Sequence, residues 1–199
     1  CYIGYGLWSG HNDYTLREAA RAEQQALLEN PLTRVTHYDM DLDLTRGGRL
    51  DATARMTVRN DGAETQDRLV FVLNSDLDVE SVTGAGGSAL DFERGDTTLT
   101  VSVPPLLPGN ETEVAVAYGG GLVLNTIYLD SEAEISELKG QARNNVAILG
   151  YLPSYIGSRY SVRLPEARWY PSPNVDYGYT DPDKRPDNFA TTELRITVP

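Results

Sequence analysis

Residues 35–58 read VTHYDMDLDLTRGGRLDATARMTV. Apolar side chains take every second position, Tyr38, Met40, Leu42 and Leu44, with Asp39, Asp41 and Asp43 between them. Successive side chains of a strand point to opposite faces, so the alternation makes one apolar and one charged face. Gly47-Gly48 turns the chain, and Leu50, Ala52, Ala54, Met56 and Val58 resume the period. The stretch predicts two antiparallel strands, each with one face for a core and one for water. Their pairing sets Asp39 or Asp41 opposite Arg55, a favourable cross-strand pair. A calcium site gathers carboxylates around a tight turn, whereas a straight strand spreads them along a line. The aspartates therefore read as a solvated face.

Working outward, further short apolar runs predict strands at RLVFVLN (68–74), LDVESV (77–82), ALDFER (89–94), TTLTVSV (97–103), ETEVAVAY (111–118) and TTELRITV (191–198). Gly95-Asp96 and Pro108-Gly109-Asn110 are turn signals between them. Regular short strands of this kind define a mostly β chain, an antiparallel β-sandwich. One helix is expected ahead of it, in TLREAARAEQQALLEN (15–30). Thr15 and Glu18 make a capping box, Ala, Gln and Leu favour the helix, and Asn30-Pro31 stops it. Its apolar face (Leu16, Ala19, Ala20, Leu27) is thin, which suits a surface helix. Residues 1–32 are thus a lead-in and 33–199 the sandwich. The stretch 131–150 is ambiguous, with one or two helical turns in SEAEISEL.

The chain has 199 residues, enough to bury a core without disulfides. Its net charge of −12 would be repelled by nucleic acid or an anionic membrane surface. Cys1 is the single cysteine, so no internal disulfide forms. No run reaches the ~18 apolar residues of a membrane span. The aromatic opening CYIGYGLW reads either as the tail of an upstream span or as an ordinary terminus.

Catalytic signals are sparse. His11 and His37 are the two histidines, and neither lies in an H-E-x-x-H pair. There is no G-x-S-x-G elbow, and the glycine clusters at 84–87 and 119–121 lack the Lys-Ser/Thr of a phosphate loop. Asn110-Glu111-Thr112 matches the N-glycosylation triplet but also serves a turn. The expectation is no enzyme in this stretch and no cofactor. The sharpest feature is EARWYPSPN (166–174), where Pro171 and Pro173 stiffen a corner carrying Arg168, Trp169, Tyr170 and Asn174. With Tyr155, these are the candidate interdomain or ligand contacts; Arg and large aromatics favour interfaces, and a buried Trp anchors many sandwiches.

The order of the pieces resembles the N-terminal β-sandwich domain of aminopeptidase-N-type zinc peptidases, from about Val35 to Pro199. The carrying stretches are YDMDLDL, LTVSVPPLLPGNETEVAVAYGG, the Arg168–Pro171 corner in ARWYP, and NFATTELRITVP. In that family the zinc ligands and catalytic glutamate lie in a following domain. The resemblance therefore implies a non-catalytic module whose partner is a following peptidase-like domain of the same chain. It also implies further strands beyond residue 199, so the sandwich reads as truncated there, with an edge strand open to pairing with another copy. The family's "F-P-C-x-D-E-P" continuation is missing, and Ser161 stands where the family's Gln or Glu would meet a substrate amine.

The lead-in helix, LNTIYLD (124–130) and GYLPSYIGSRY (150–160) resemble a bacterial and archaeal subgroup fused to ABC transporter permeases. That resemblance implies an extracytoplasmic, membrane-anchored location and a transporter membrane domain as a second partner. The alternative is a free-standing secreted Ig-like binding or adhesion module for carbohydrate or protein, for which the tyrosines of the last third speak. A hydrolase with a carboxylate pair ranks last.

Overall fold

The computed structural model describes residues 15–25, 27, 33–45, 48–123, 126, 129, 154–156, 161–173 and 189–198. A helix, α1 (residues 15–25), precedes β1 (Thr33–Leu44), β2 (Leu50–Asn60), β3 (Gln66–Val72), β4 (Leu77–Gly84), β5 (Phe92–Arg94), β6 (Thr98–Leu106) and β7 (Glu111–Gly120). After these come the short β8 (Ser154–Ile156) and β9 (Ser161–Arg163), and then β10 (Thr191–Thr197). Five strands form one sheet in the order β10-β1-β2-β7-β4, three form a second as β3-β6-β5, and β8 and β9 pair alone. The expected β-sandwich is thus present, with one departure: β10 runs parallel to β1.

The core lies between the two sheets. Tyr38, Met40, Leu42, Leu50, Met56, Val114, Val116 and Tyr118 face it from the five-stranded sheet, and Leu69, Phe71, Leu99 and Val101 from the three-stranded one. Each fully buried Leu, Val, Phe or Met contributes ~1.5–3 kcal/mol of hydrophobic stabilisation. The register bears out the alternation in residues 38–58, with Met40 opposite Ala54 and Asp39 opposite Arg55. A bulge between Val35 and His37 lets Val35 and Tyr38, three positions apart, both turn inward, which a strict period of two does not foresee.

On the outer face the aspartates are engaged by arginines. Arg55 Nη1 donates to Asp41 at 2.7 Å, and Arg195 of β10 reaches Asp41 at 2.6 Å and also Asp39. This ladder ties three adjacent strands, β2, β1 and β10. It matters for β10 because all seven of its residues are exposed.

The helix docks by polar contacts. Arg17, Ala20 and Gln24 are buried, three and four positions apart on one face. The Glu23 carboxylate accepts from the Thr97 backbone N–H at 2.7 Å and from the hydroxyls of Thr97 and Thr98 at 2.9 and 2.5 Å. Gly95 lies directly beneath that carboxylate, and a Cβ there would overlap it. The expected surface helix is therefore seated on the β5–β6 turn through a face of which the thin apolar stripe marked only Ala20.

Two outcomes are expected. Gly120 sits at φ 149°, and a Cβ there would collide with the backbone carbonyl of Asp76, which cannot give way as a side-chain tip could. Gly120→Ala should cost ~2–4 kcal/mol of unfolding free energy in urea titration. Asp41 is held below the usual carboxylate range by hydrogen bonds from Arg55 and then Arg195. A depressed carboxylate stabilises above its unfolded value, about 4, and that contribution is lost as pH falls through the folded value. In an acid titration followed by NMR, amide signals of β10 should shift and broaden before those of β2 and β7. Simultaneous loss would show that the ladder does not hold β10.

Candidate functional site

The corner at residues 165–173 is built on backbone geometry. Pro165–Ala167 makes one 3-10 turn, with Ala167 N–H donating to Leu164 O and Arg168 N–H to Pro165 O. Arg168 caps the turn in the left-handed region at φ 53°, ψ 40°, uncommon for a non-glycine residue. That reversal aims the following aromatics at the sandwich. Ser172 then forms an antiparallel bridge with Val72, at 2.6 and 2.9 Å, which adds one rung beside β3.

Aromatic packing fixes the corner from within. Trp169 and Tyr170 meet edge-to-face at 4.7 Å between centroids, and Tyr170 meets Tyr38 of β1 in the same way at 5.3 Å. Such pairs add ~0.5–1.5 kcal/mol beyond burial. The Tyr38 hydroxyl donates to the Pro171 carbonyl at 3.0 Å. Burial pushes the Tyr38 phenol far up from its ordinary value, with Tyr170 and Tyr118 adding to the rise. Tyr118 is raised as well, chiefly by burial. Both are therefore neutral packing groups and not proton-transfer groups near neutral pH.

Of the candidates, Arg168, Trp169 and Tyr170 come together here. Arg168 and Trp169 are 7% and 8% exposed, while Tyr170 is half-buried. Tyr155 lies in the β8–β9 pair, its backbone opposite Val162, and its side chain lies outside the described residues. Asn174 also lies outside them, as do residues 131–150. The indole N–H of Trp169 and the hydroxyl of Tyr118 are buried with no hydrogen-bond partner among the described residues.

Asn74 is the residue that sequence reasoning missed. It is 2% exposed. Its amide nitrogen donates to Ala167 O at 2.9 Å and Val123 O at 2.7 Å, and its amide oxygen accepts from the backbone of Val123 and Asp76. Its own backbone N–H donates to Arg168 O at 2.8 Å. The sequence signal was an Asn at the end of the apolar run RLVFVLN, which by local rules reads as a turn residue.

Elsewhere the outer face of the large sheet holds two shallow hollows. One, of about 300 Å³, is lined by Asp41, Asp43, Asp51, Thr53 and Glu80, and the other, of about 400 Å³, by His37, Asp39, Arg55, Thr57 and Glu113. His37 is not free there, since its Nδ1 lies 2.7 Å from the Thr191 hydroxyl. Among the described residues no group of three or more His, Cys, Asp or Glu could hold a metal ion. No helix among them is long and apolar enough to cross a membrane.

Solved structures share this fold. The M1 zinc metallopeptidase from Deinococcus radiodurans superposes with a TM-score of 0.57 at 21% identity, over 84% of this chain and 33% of that one. A mutant described as a two-domain M1 zinc metallopeptidase, bound to L-arginine, gives 0.58 at 23%, over 84% and 33%. Legionella pneumophila aminopeptidase A, in complex with aspartic acid, gives 0.52 at 16%, over 84% and 16%. The chain thus spans about a third or less of the length of these neighbours. No protein-family model and no curated protein matches it. What is shared at these identities is the fold.

Removing the Asn74 amide leaves the buried Ala167 carbonyl and the part-buried Val123 carbonyl without that donor, whereas Tyr38→Phe gives up one hydrogen bond and keeps the ring. Asn74→Ala should cost ~2–4 kcal/mol and Tyr38→Phe ~1 kcal/mol, compared by urea unfolding followed through tryptophan emission. Equal costs would mean that Asn74 does not hold the corner.

Proposed function

We propose that the chain is the non-catalytic N-terminal β-sandwich of a zinc-aminopeptidase-like protein, acting as a scaffold and interdomain module ahead of a peptidase-like domain. The observation that carries this reading is the extent of the likeness. The shared fold covers 84% of this chain yet only a third of the two-domain neighbour, which leaves the larger part of such a protein to a different domain.

In this reading the corner works in two directions. Arg168, Trp169 and the Asn74 contacts secure it to the sandwich, and half-buried Tyr170 and Ser172 form the side turned toward the next domain. Pro171 and Pro173 keep that side stiff, so that little order has to be gained on docking. We further propose that the module lies outside the cytoplasm, anchored through regions beyond residues 1–199, with a transporter permease as the membrane part. The sequence features that support this are the lead-in helix and the stretches 124–130 and 150–160.

Sequencing the coding region on both sides of residues 1–199 tests both levels. A helical peptidase-like region after residue 199 is expected, with membrane spans before residue 1. Hydrolysis of aminoacyl-anilide substrates by residues 1–199 alone, abolished by a zinc chelator, would overturn the non-catalytic assignment. A signal peptide upstream with a stop codon soon after residue 199 would overturn the scaffold reading and leave a secreted binding module.

A further inference from the structure

We infer that Arg163 is a docking cation, parked against its own domain until it takes a carboxylate presented by the domain that follows. The inference rests on the reading of the chain as an interdomain module, and deepens it by naming the group that the partner offers.

Arg163 ends β9, just ahead of the 3-10 turn that opens the corner. Its Nη2 donates to the Gly48 carbonyl of the β1–β2 turn at 2.9 Å. Its Nε and Nη1 are buried, and neither has a hydrogen-bond partner among the described residues. A guanidinium keeps its proton in a protein, so each covered N–H without an acceptor is a standing cost. Burial alone accounts for the lowering of this group from its ordinary value, with no carboxylate opposing it.

Arg94 shows the contrast. It is half-buried too, yet it donates to the carbonyls of Leu73, Asn74, Gly95 and Thr98 and feels the carboxylates of Glu23, Asp96 and Asp78. On the outer sheet face, Arg55 and Arg195 share Asp39 and Asp41. Arg163 has one carbonyl and no carboxylate. With 29 acidic residues against 17 basic ones, the chain had ample means to pair a structural arginine.

A single neutral hydrogen bond holds a long, rotatable side chain weakly. A carboxylate brought alongside would draw the guanidinium away from Gly48 into a charge-assisted pair, roughly twice as strong, and relieve both covered donors. The surroundings suit that role. Val162, beside it on β9, is 40% exposed. Arg49, next to Gly48, is exposed and carries no ion pair among the described residues. Leu50, Gly120 and Leu77 are register neighbours there, and Leu77 N–H binds Asn74 O, so this turn lies at the same end of the sandwich as the corner. Arginine beside exposed apolar surface is the composition of an interface. The −12 net charge repels a polyanion, which leaves a single carboxylate as the fitting partner.

Proteolysis of the full-length protein reads the population in which the two domains have parted. Arg163→Glu should raise the rate of cleavage between them at least tenfold, or ~1.4 kcal/mol, and Arg163→Lys, which keeps the charge, should restore most of the protection. Arg163→Gln should leave amide exchange in β2 and β7 at the wild-type rate, because no ion pair within the sandwich is broken. Faster exchange there would mark a structural arginine and overturn the inference. Ser172→Glu, on the docking side of the corner, separates the two levels. If it speeds cleavage and Arg163→Glu does not, the docking reading stands and Arg163 has no part in it. If neither variant speeds cleavage, the interdomain reading falls, and this inference with it. Acetate that slows amide exchange in β9, where chloride at equal ionic strength does not, would give Arg163 to a small carboxylate and overturn the interdomain source.

Discussion

The side-chain amide of Asn74 holds three separated stretches of chain at one point. Through it the end of β3, the segment leaving β7 at Val123 and the corner at Ala167 are bonded to one another. The same node reaches further. Arg94 donates to the carbonyls of Leu73 and Asn74, and Leu73 N–H donates to Thr97 O, whose own N–H binds Glu23 of α1. Burial lowers the Arg94 guanidinium from its ordinary value, yet its bonds to backbone carbonyls give the charge partners that burial demands. Helix, sheets and corner are thus joined by one contiguous polar path at the end of the sandwich. The apolar core supplies most of the stabilisation, but it is non-directional. The polar path decides which loop ends where.

Residues 38–58 were legible because their pattern is local. Alternation sets face, the glycine turn sets direction, and Asp39 and Arg55 then fall opposite each other. The ingredients of the corner were legible for a similar reason, since proline stiffness and bulky aromatics are properties of single residues. What could not be read was long-range. Nothing within RLVFVLN announces that its Asn will bond residue 167, and nothing within TTELRITV announces a parallel partner more than 150 residues earlier. The docked face of α1 was legible only at Ala20, because the rest of it is polar and apolar periodicity is blind to Arg17, Glu23 and Gln24. The bulge at residue 36 escaped because it breaks the rule by which strands are recognised.

The corner and the β10 edge put different physics at different places. The corner is buried, aromatic and fixed by backbone bonds, the kind of element that positions a neighbour without changing shape. The edge is exposed, charged on one face and apolar on the other, and attached chiefly through a single strand partner. A domain built this way has a buried end and an exposed end. The division follows from the unequal widths of its two sheets.

The parallel pairing of β10 with β1 also fixes an order of events during synthesis. His37 and its partner Thr191 are 154 residues apart. At ~5–20 residues per second, the edge of β1 waits about 8–30 s on the ribosome before its neighbour has been made. Throughout that interval β1 is the open edge of the growing sheet, and its outward side chains are Asp39, Asp41 and Asp43. Carboxylates along a waiting edge repel other nascent chains whose edges carry the same charges, and discourage premature partners. They are then met by Arg195, which arrives with β10. The same aspartates therefore guard the open edge of β1 and bind the strand that covers it.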